Sequence, residues 1–193
     1  MSAMTGQAPR TLPGHSAPAA GFDRPLQALA DCHRRVERQC ATLQRLVPHL
    51  AAHGADDDAR AAATAVMRYF DTAARHHHAD EEDDLFPALI EAVAGSDPVC
   101  LREMIDGLRA DHRELDRRWA GLRRVLAAVA AGAPAALADD EVGDFTAAYA
   151  RHIAREEGEL LPLAQRLLAD ADLDRIGRAM ASRRGLRGTG PRP

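Results

Sequence analysis

Two stretches of the chain carry the same arrangement of metal-binding residue types. The first runs from His77 through Glu81 and Glu82 to Pro87, the second from His152 through Glu156 and Glu157 to Pro162. Each is His-x3-Glu, with a proline six residues after the first glutamate. Helical residues four apart share a face, with Cβ atoms about 6 Å apart. One imidazole and one carboxylate at that spacing can grip the same cation, and a carboxylate can bridge two. Each copy also has a histidine upstream, His33 for the first and His112 for the second. The chain therefore reads as two helical hairpins, each carrying a His and then a His-x3-Glu.

Burial of this set has a physical cost that narrows its purpose. Two glutamates placed in a core without partners would cost several kcal/mol each, and neutral imidazoles also need hydrogen bonds. A cation offsets both carboxylates and accepts the imidazole lone pairs. Mixed His and carboxylate donors suit iron, with manganese or zinc as substitutes by ligand type. Helix-bundle interiors are where dimetal carboxylate sites are built.

The elements that must position these residues are legible in the spacing. The midpoints of His33–His77, His77–His112 and His112–His152 fall beside Gly54, at Gly95 and at Gly132. Glycine is the residue most able to end a helix, so four histidines at one depth of an up-down-up-down four-helix bundle are predicted. The first helix is expected to begin near Asp23 as its cap. Its seam is Leu26, Leu29, His33, Val36, Cys40, Leu43, Val47 and Leu50, in alternating steps of three and four. The second, from about 58 to 94, carries Val66, Phe70, Ala73, His77, Glu81, Asp84 or Leu85, and Ala88, with Pro87 expected to kink or restart it. The third is expected to open on a Ser96-Asp97-Pro98 cap and to align Leu101, Ile105, Leu108, His112, Leu115, Trp119, Leu122, Leu126 and Val129. The fourth, from about 138 to 169, aligns Phe145, Tyr149, His152, Glu156, Leu160, Leu163 and Leu167. The predicted division is a disordered leader over 1–21, an all-α bundle over 22–170, a short amphipathic helix over 171–185 and a disordered tail over 186–193.

Composition agrees with helices and excludes several functions. Aromatic residues are 4% of 193 residues, and Ala and Leu favour helix over sheet. A net charge of −4 gives no general attraction to nucleic acid. No apolar run approaches the roughly 20 residues of a membrane span, so no membrane association is expected. Cys32, Cys40 and Cys100 lack metal-ligand spacing and read as free thiols of a reducing, cytoplasmic compartment. The oligomeric state is not encoded in any of these features.

With Leu85-Phe86-Pro87 and Leu160-Leu161-Pro162, the six residues resemble the hemerythrin-like (HHE cation-binding) family over roughly 23–168. The resemblance implies a hemerythrin-type bundle holding two iron ions, oxo- or hydroxo-bridged, with both glutamates bridging as well. Carried over position by position, the metal ligands are His33, His77, Glu81, His112, His152 and Glu156. The chain departs from the oxygen carriers of the family at Asp116, where they have a second histidine one turn after the third-helix His. That predicts an open position, a water ligand or a weak carboxylate there, and reactivity rather than long-lived oxygen carriage.

Neighbouring residues receive quieter readings. His76 and His78 are expected to lie on the solvated surface, with extra ligation by His78 a minor alternative. Glu37 and Asp116 border the seam and are read as a solvated face, with hydrogen bonding to the ligand imidazoles the alternative. His49 and His53 suit the C-terminal dipole of the first helix. Tyr149 and Trp119 are core. Three metal-based functions fit: binding or sensing of oxygen or nitric oxide, an enzyme reducing peroxide or oxygen, and iron storage or donation. A metal-free interaction bundle is the fourth.

Overall fold

The computed structural model describes residues 21–95 and 99–186. The leader, the tail beyond 186 and the Ser96-Asp97-Pro98 cap lie outside them. Among the described residues all regular structure is helical: α1 (Pro25–His53), α2 (Asp57–Asp71), α3 (Ala73–Ala79), a π-helical segment π1 (Asp80–Leu85), α4 (Phe86–Ala92), α5 (Val99–Ala130), α6 (Asp139–Arg155), a second π segment π2 (Glu156–Leu160), α7 (Leu161–Leu167) and α8 (Asp170–Arg183). Helix α1 packs against α2 and α6, and α5 packs against the same two.

Helix ends follow local chemistry. Gly54, Gly95 and Gly132 all adopt positive φ (68°, 99° and 75°), a region that L side chains avoid and glycine enters freely. Asp56 caps α2, its side chain accepting the Ala59 amide at 2.9 Å. The start of α1 is a correction: Arg24 occupies the cap position, without a side-chain cap bond, and Pro25 opens the helix.

The second helix departs further from expectation. It is interrupted at Thr72, whose hydroxyl donates to the Arg68 carbonyl at 2.5 Å. Its second irregularity precedes Pro87 rather than following it. Proline has no N–H and its ring crowds the preceding turn, so the ordinary i→i−4 ladder cannot run past it. The chain widens instead, and the Phe86 amide bonds the Glu81 carbonyl five residues back. The second motif repeats this: Pro162 follows π2, and the Leu161 amide bonds the Glu156 carbonyl. Each π segment thus begins at, or one residue before, the first glutamate of its motif. Such segments concentrate at functional sites.

Two apolar clusters make the core, and they are separated along every long helix. One holds Val36, Leu43, Val66, Phe70, Ala74, Leu115, Leu122, Phe145 and Ile153. The other holds Leu29, Leu85, Phe86, Leu89, Ile105, Leu108, Leu160 and Ile176. Between Leu29 and Val36 sits His33; between Ala74 and Leu85 sit His77 and Glu81; between Leu108 and Leu115 sits His112; between Ile153 and Leu160 sits Glu156. A polar layer is therefore sandwiched between two hydrophobic ones. Helix α8 closes the second cluster with Ile176 and Met180.

Candidate metal centre

All six sequence-predicted residues are buried at this layer, with Glu81 and Glu156 at 0% exposure. They form two overlapping sets whose donor atoms lie within 4.8 Å of one another: His33, His77, Glu81 and Glu156, and Glu81, His112, His152 and Glu156. Both glutamates belong to both sets, the arrangement that two bridging carboxylates between two cations require.

The imidazoles turn one nitrogen inward. Nε2 of His33 lies 3.0 Å from Glu156 Oε2, Nε2 of His77 3.4 Å from Glu81 Oε1, and Nε2 of His152 3.1 Å from Glu156 Oε1. Nε2 of His112 lies 3.4 Å from Glu81 Oε2 and 3.1 Å from Nε2 of His152. Two donors at about 2.1 Å from one cation and at right angles stand about 3 Å apart, so the His112–His152 pair has the spacing of two ligands on one ion.

Two of the outward nitrogens bond carboxylates and a third has one nearby, while Nδ1 of His77 has no partner among the described residues. Glu157 Oε1 takes Nδ1 of His33 at 2.9 Å, and Glu82 Oε1 takes Nδ1 of His112 at 2.6 Å. Asp111 approaches Nδ1 of His152 at 3.6 Å. A carboxylate behind a ligating imidazole fixes its tautomer and raises its basicity. The sequence carried a signal for Glu82 and Glu157 that periodicity alone did not use: both motifs read Glu-Glu, and the second glutamate of each holds the upstream histidine of the other hairpin.

The residues fit a bound cation because, without one, the layer is poorly satisfied. His33 Nε2, His77 Nδ1, both oxygens of Glu81 and both of Glu156 are buried without a hydrogen-bond partner among the described residues. The 3.0 Å approach of His33 to Glu156 is close enough for ionic attraction but lacks hydrogen-bonding geometry. Each orphaned group costs roughly 1–3 kcal/mol, more when charged.

Protonation partly fills this gap. Burial pushes His33 down, but Glu156, Glu157 and Glu81 more than reverse it and raise it to about 9. Burial also opposes the charge on His112, and Glu156, Glu81 and Glu82 carry it up to about 10. Burial holds His77 below the ordinary imidazole range. Burial, then the facing Glu156, raises Glu81. Glu156 goes the other way: burial alone would raise it, but the facing imidazoles of His112, His152 and His33 outweigh burial and hold it well below the usual carboxylate range. A cation would displace these protons, since ligation needs the imidazole lone pairs free.

A profile of the Hemerythrin HHE cation binding domain matches residues 24–164. The chain belongs to this family. The matched region spans α1 through the middle of α7 and contains every residue of the layer. The chain is also similar to an uncharacterized protein of Haemophilus influenzae, 29% identical over 165 residues that cover 86% of this chain and 92% of the relative. As a member of the hemerythrin HHE family, the chain carries a cation-binding domain, and its buried His and Glu clusters fit a metal site.

Of the neighbouring residues, Glu37 and Asp116 lie on the solvated face as expected, and His78 needs correction. Glu37 and Asp116 are exposed and bond neither His33 nor His112. On α1 and α5 the buried positions follow the histidine by three and seven residues (Val36 and Cys40, Leu115 and Trp119), so the residue four later falls outside the buried stripe. On α3 and α6 the histidine sits at the opposite border of the stripe. There the next residue is buried too, and His78, expected at the surface, is 8% exposed. His76 remains half-buried. His49 bonds the capping Asp56 at 2.9 Å and belongs to no metal-like cluster among the described residues. Tyr149 and Trp119 are core as expected, Trp119 donating to Asp71 at 3.0 Å. Cys40 is buried, its thiol pushed up to about 12 by burial and by Glu37, while Cys100 is exposed.

One surface groove, about 850 Å³, runs between the start of α1, α7 and α8 and includes Glu157 but none of the six residues. Another, about 390 Å³, lies between α1 and α6 over Val36, Cys40, Tyr149 and Ile153. Among the described residues no helix is long and apolar enough to cross a membrane.

Proposed function

We propose that the chain holds two iron ions at this layer, in a bundle of up-down-up-down topology, and uses them to bind or sense oxygen or nitric oxide. His33 and His77 would hold one ion and His112 and His152 the other, with Glu81 and Glu156 available to both. The observation that carries the reading is the sharing of two buried, unpartnered carboxylates between two donor sets. When bound, such an ion pair supplies electrons and an open coordination position to a small ligand. The protein's own residues do the rest. Glu157 and Glu82 orient the imidazoles of His33 and His112. Leu29, Val36, Leu108, Leu115 and Tyr149 are buried around the layer and keep bulk water from it. The groove over Val36, Tyr149 and Ile153 offers an apolar approach suited to a diatomic molecule.

The apolar walls of the layer, Leu29, Val36, Leu108, Leu115 and Tyr149, favour binding of a small apolar ligand over substrate turnover. Reduction of peroxide or oxygen, and iron storage or donation, are the alternatives. Anaerobic loading with ferrous iron, followed by separate exposure to oxygen, nitric oxide and peroxide under visible absorption, tests the assignment. A reversible spectral change with oxygen or nitric oxide supports it. Catalytic consumption of peroxide without a lasting adduct would transfer the chain to the enzymes, and absence of iron binding would end the metal reading.

A further inference from the structure

Between histidine and proline the two motifs differ at one position that is buried in both. The residue after the first motif's histidine is His78, and the residue after the second's is Ile153. Both are buried, His78 at 8% and Ile153 at 6% exposure, because α3 and α6 present the same border of their stripes to the core. Ile153 is satisfied by the apolar cluster it joins. His78 is not satisfied: its Nε2 is buried without a hydrogen-bond partner. Its ring lies flat against His112, centroids 3.9 Å apart and planes 11° apart, and stands 6.1 Å from the His152 ring. The donor atoms of His78, His112 and His152 all lie within 4.8 Å of one another.

We propose that His78 is a further ligand of the metal ion held by His112 and His152. The proposal rests on the dimetal reading above and adds an asymmetry to it: one ion has three imidazoles, the other two. It also revises the consequence drawn from Asp116. The imidazole that α5 does not provide is supplied from α3, one residue beyond a ligand, where a stripe border that buries position i+1 makes it available. A purely packing role is the competing account, since a flat ring stacked on His112 fills the same space.

The test separates nitrogen from shape. Wild type, His78→Phe and His78→Ala are loaded anaerobically with isotopically enriched ferrous iron. Affinity is followed by chelator competition, and the two sites are resolved by Mössbauer spectroscopy. Wild type should show two inequivalent irons. In His78→Phe, which keeps a flat ring, one iron signal should shift and one binding affinity should fall by more than about tenfold, the least that losing even an orienting partner costs. In His78→Ala, free imidazole should restore the shifted signal. Pyrrole, of the same shape but with no lone pair to donate, should not. If His78→Phe fails to fold, the imidazole and pyrrole comparison decides the matter alone. Unchanged affinity and signals in His78→Phe, or equal rescue by pyrrole, would overturn the proposal and leave the dimetal centre standing. A wild type that takes up no iron would instead overturn the centre and this ligand with it.

Discussion

Glu157 and His33 are 124 residues apart in the chain and 2.9 Å apart in the fold. The second motif thereby holds a histidine of the first hairpin, and Glu82 returns the arrangement by holding His112 of the second hairpin at 2.6 Å. Because both carboxylates are partly exposed, at 45% and 37%, their removal should not unfold the protein. Glu157→Gln and Glu82→Gln should each weaken metal binding by about 10–100-fold, the usual cost of losing such a partner, with little change in the metal-free melting temperature. Wild-type affinity in both variants would show that imidazole orientation is set by packing alone.

His77→Ala or His152→Ala should lose most bound metal, each removing one inward imidazole from a different donor set. Stripping metal from the wild type should lower its melting temperature, because a ligand that binds only the folded state stabilises it by roughly 4 kcal/mol at a thousandfold excess over Kd. Metal analysis and calorimetry on the same samples provide the check. Full metal content in both variants would remove these residues from the ligand set.

In the metal-free protein, His33 and His112 titrate near 9 and 10 against an ordinary 6.5. Folding therefore raises their proton affinity. Their contribution to stability is complete below about pH 6.5 and is lost as the pH rises through 9 to 10. Metal-free protein should lose melting temperature across that window, and metal uptake near pH 7.5 should release protons. Titration calorimetry in buffers of different ionisation enthalpy measures the release. An uptake enthalpy independent of buffer would contradict the protonated layer.

Asp80 is fully buried one residue before Glu81 and is gripped from the C-terminal end of α8 and the residue that follows it. Arg184 reaches its two oxygens at 3.0 and 2.6 Å, Arg183 also bonds it, and Arg183 reaches Asp84 at 2.7 Å. Removing both cations by Arg183→Met with Arg184→Met leaves a buried carboxylate uncompensated, which costs about 3–5 kcal/mol. Urea denaturation of the metal-free protein should show that loss. Because π1 carries Glu81, the double variant should also bind metal less tightly. A loss under 1 kcal/mol would mean that water replaces the arginines.

Asp116 lies on the exposed face of α5. Asp116→His should accordingly leave metal content, visible spectrum and air-oxidation rate as in the wild type. An added metal-to-ligand band would show that α5 can turn this position inward.

The sequence by itself determined the layer. Four seam histidines equidistant from three glycines lie at one depth because a helix advances a constant rise per residue, and those glycines do adopt positive φ. It also determined the apolar clusters above and below, whose members recur at the seam positions. The tertiary structure decided which side of each seam histidine faces inward. That choice follows from how far each helix is rotated about its axis against its neighbours, and a pattern of threes and fours leaves both borders of the stripe open. Rotation put His78 inside, Glu37 and Asp116 outside, and Ala74 rather than Ala73 in the core. The pairing of Glu157 with His33 and Glu82 with His112 was likewise settled only when the hairpins packed, since no local spacing relates residues on different hairpins. The π turns before Pro87 and Pro162 lie between these cases. Each proline announced that the ladder must break, and the fold shows that it does so by widening, with Leu85 and Leu160 seated in the second apolar cluster.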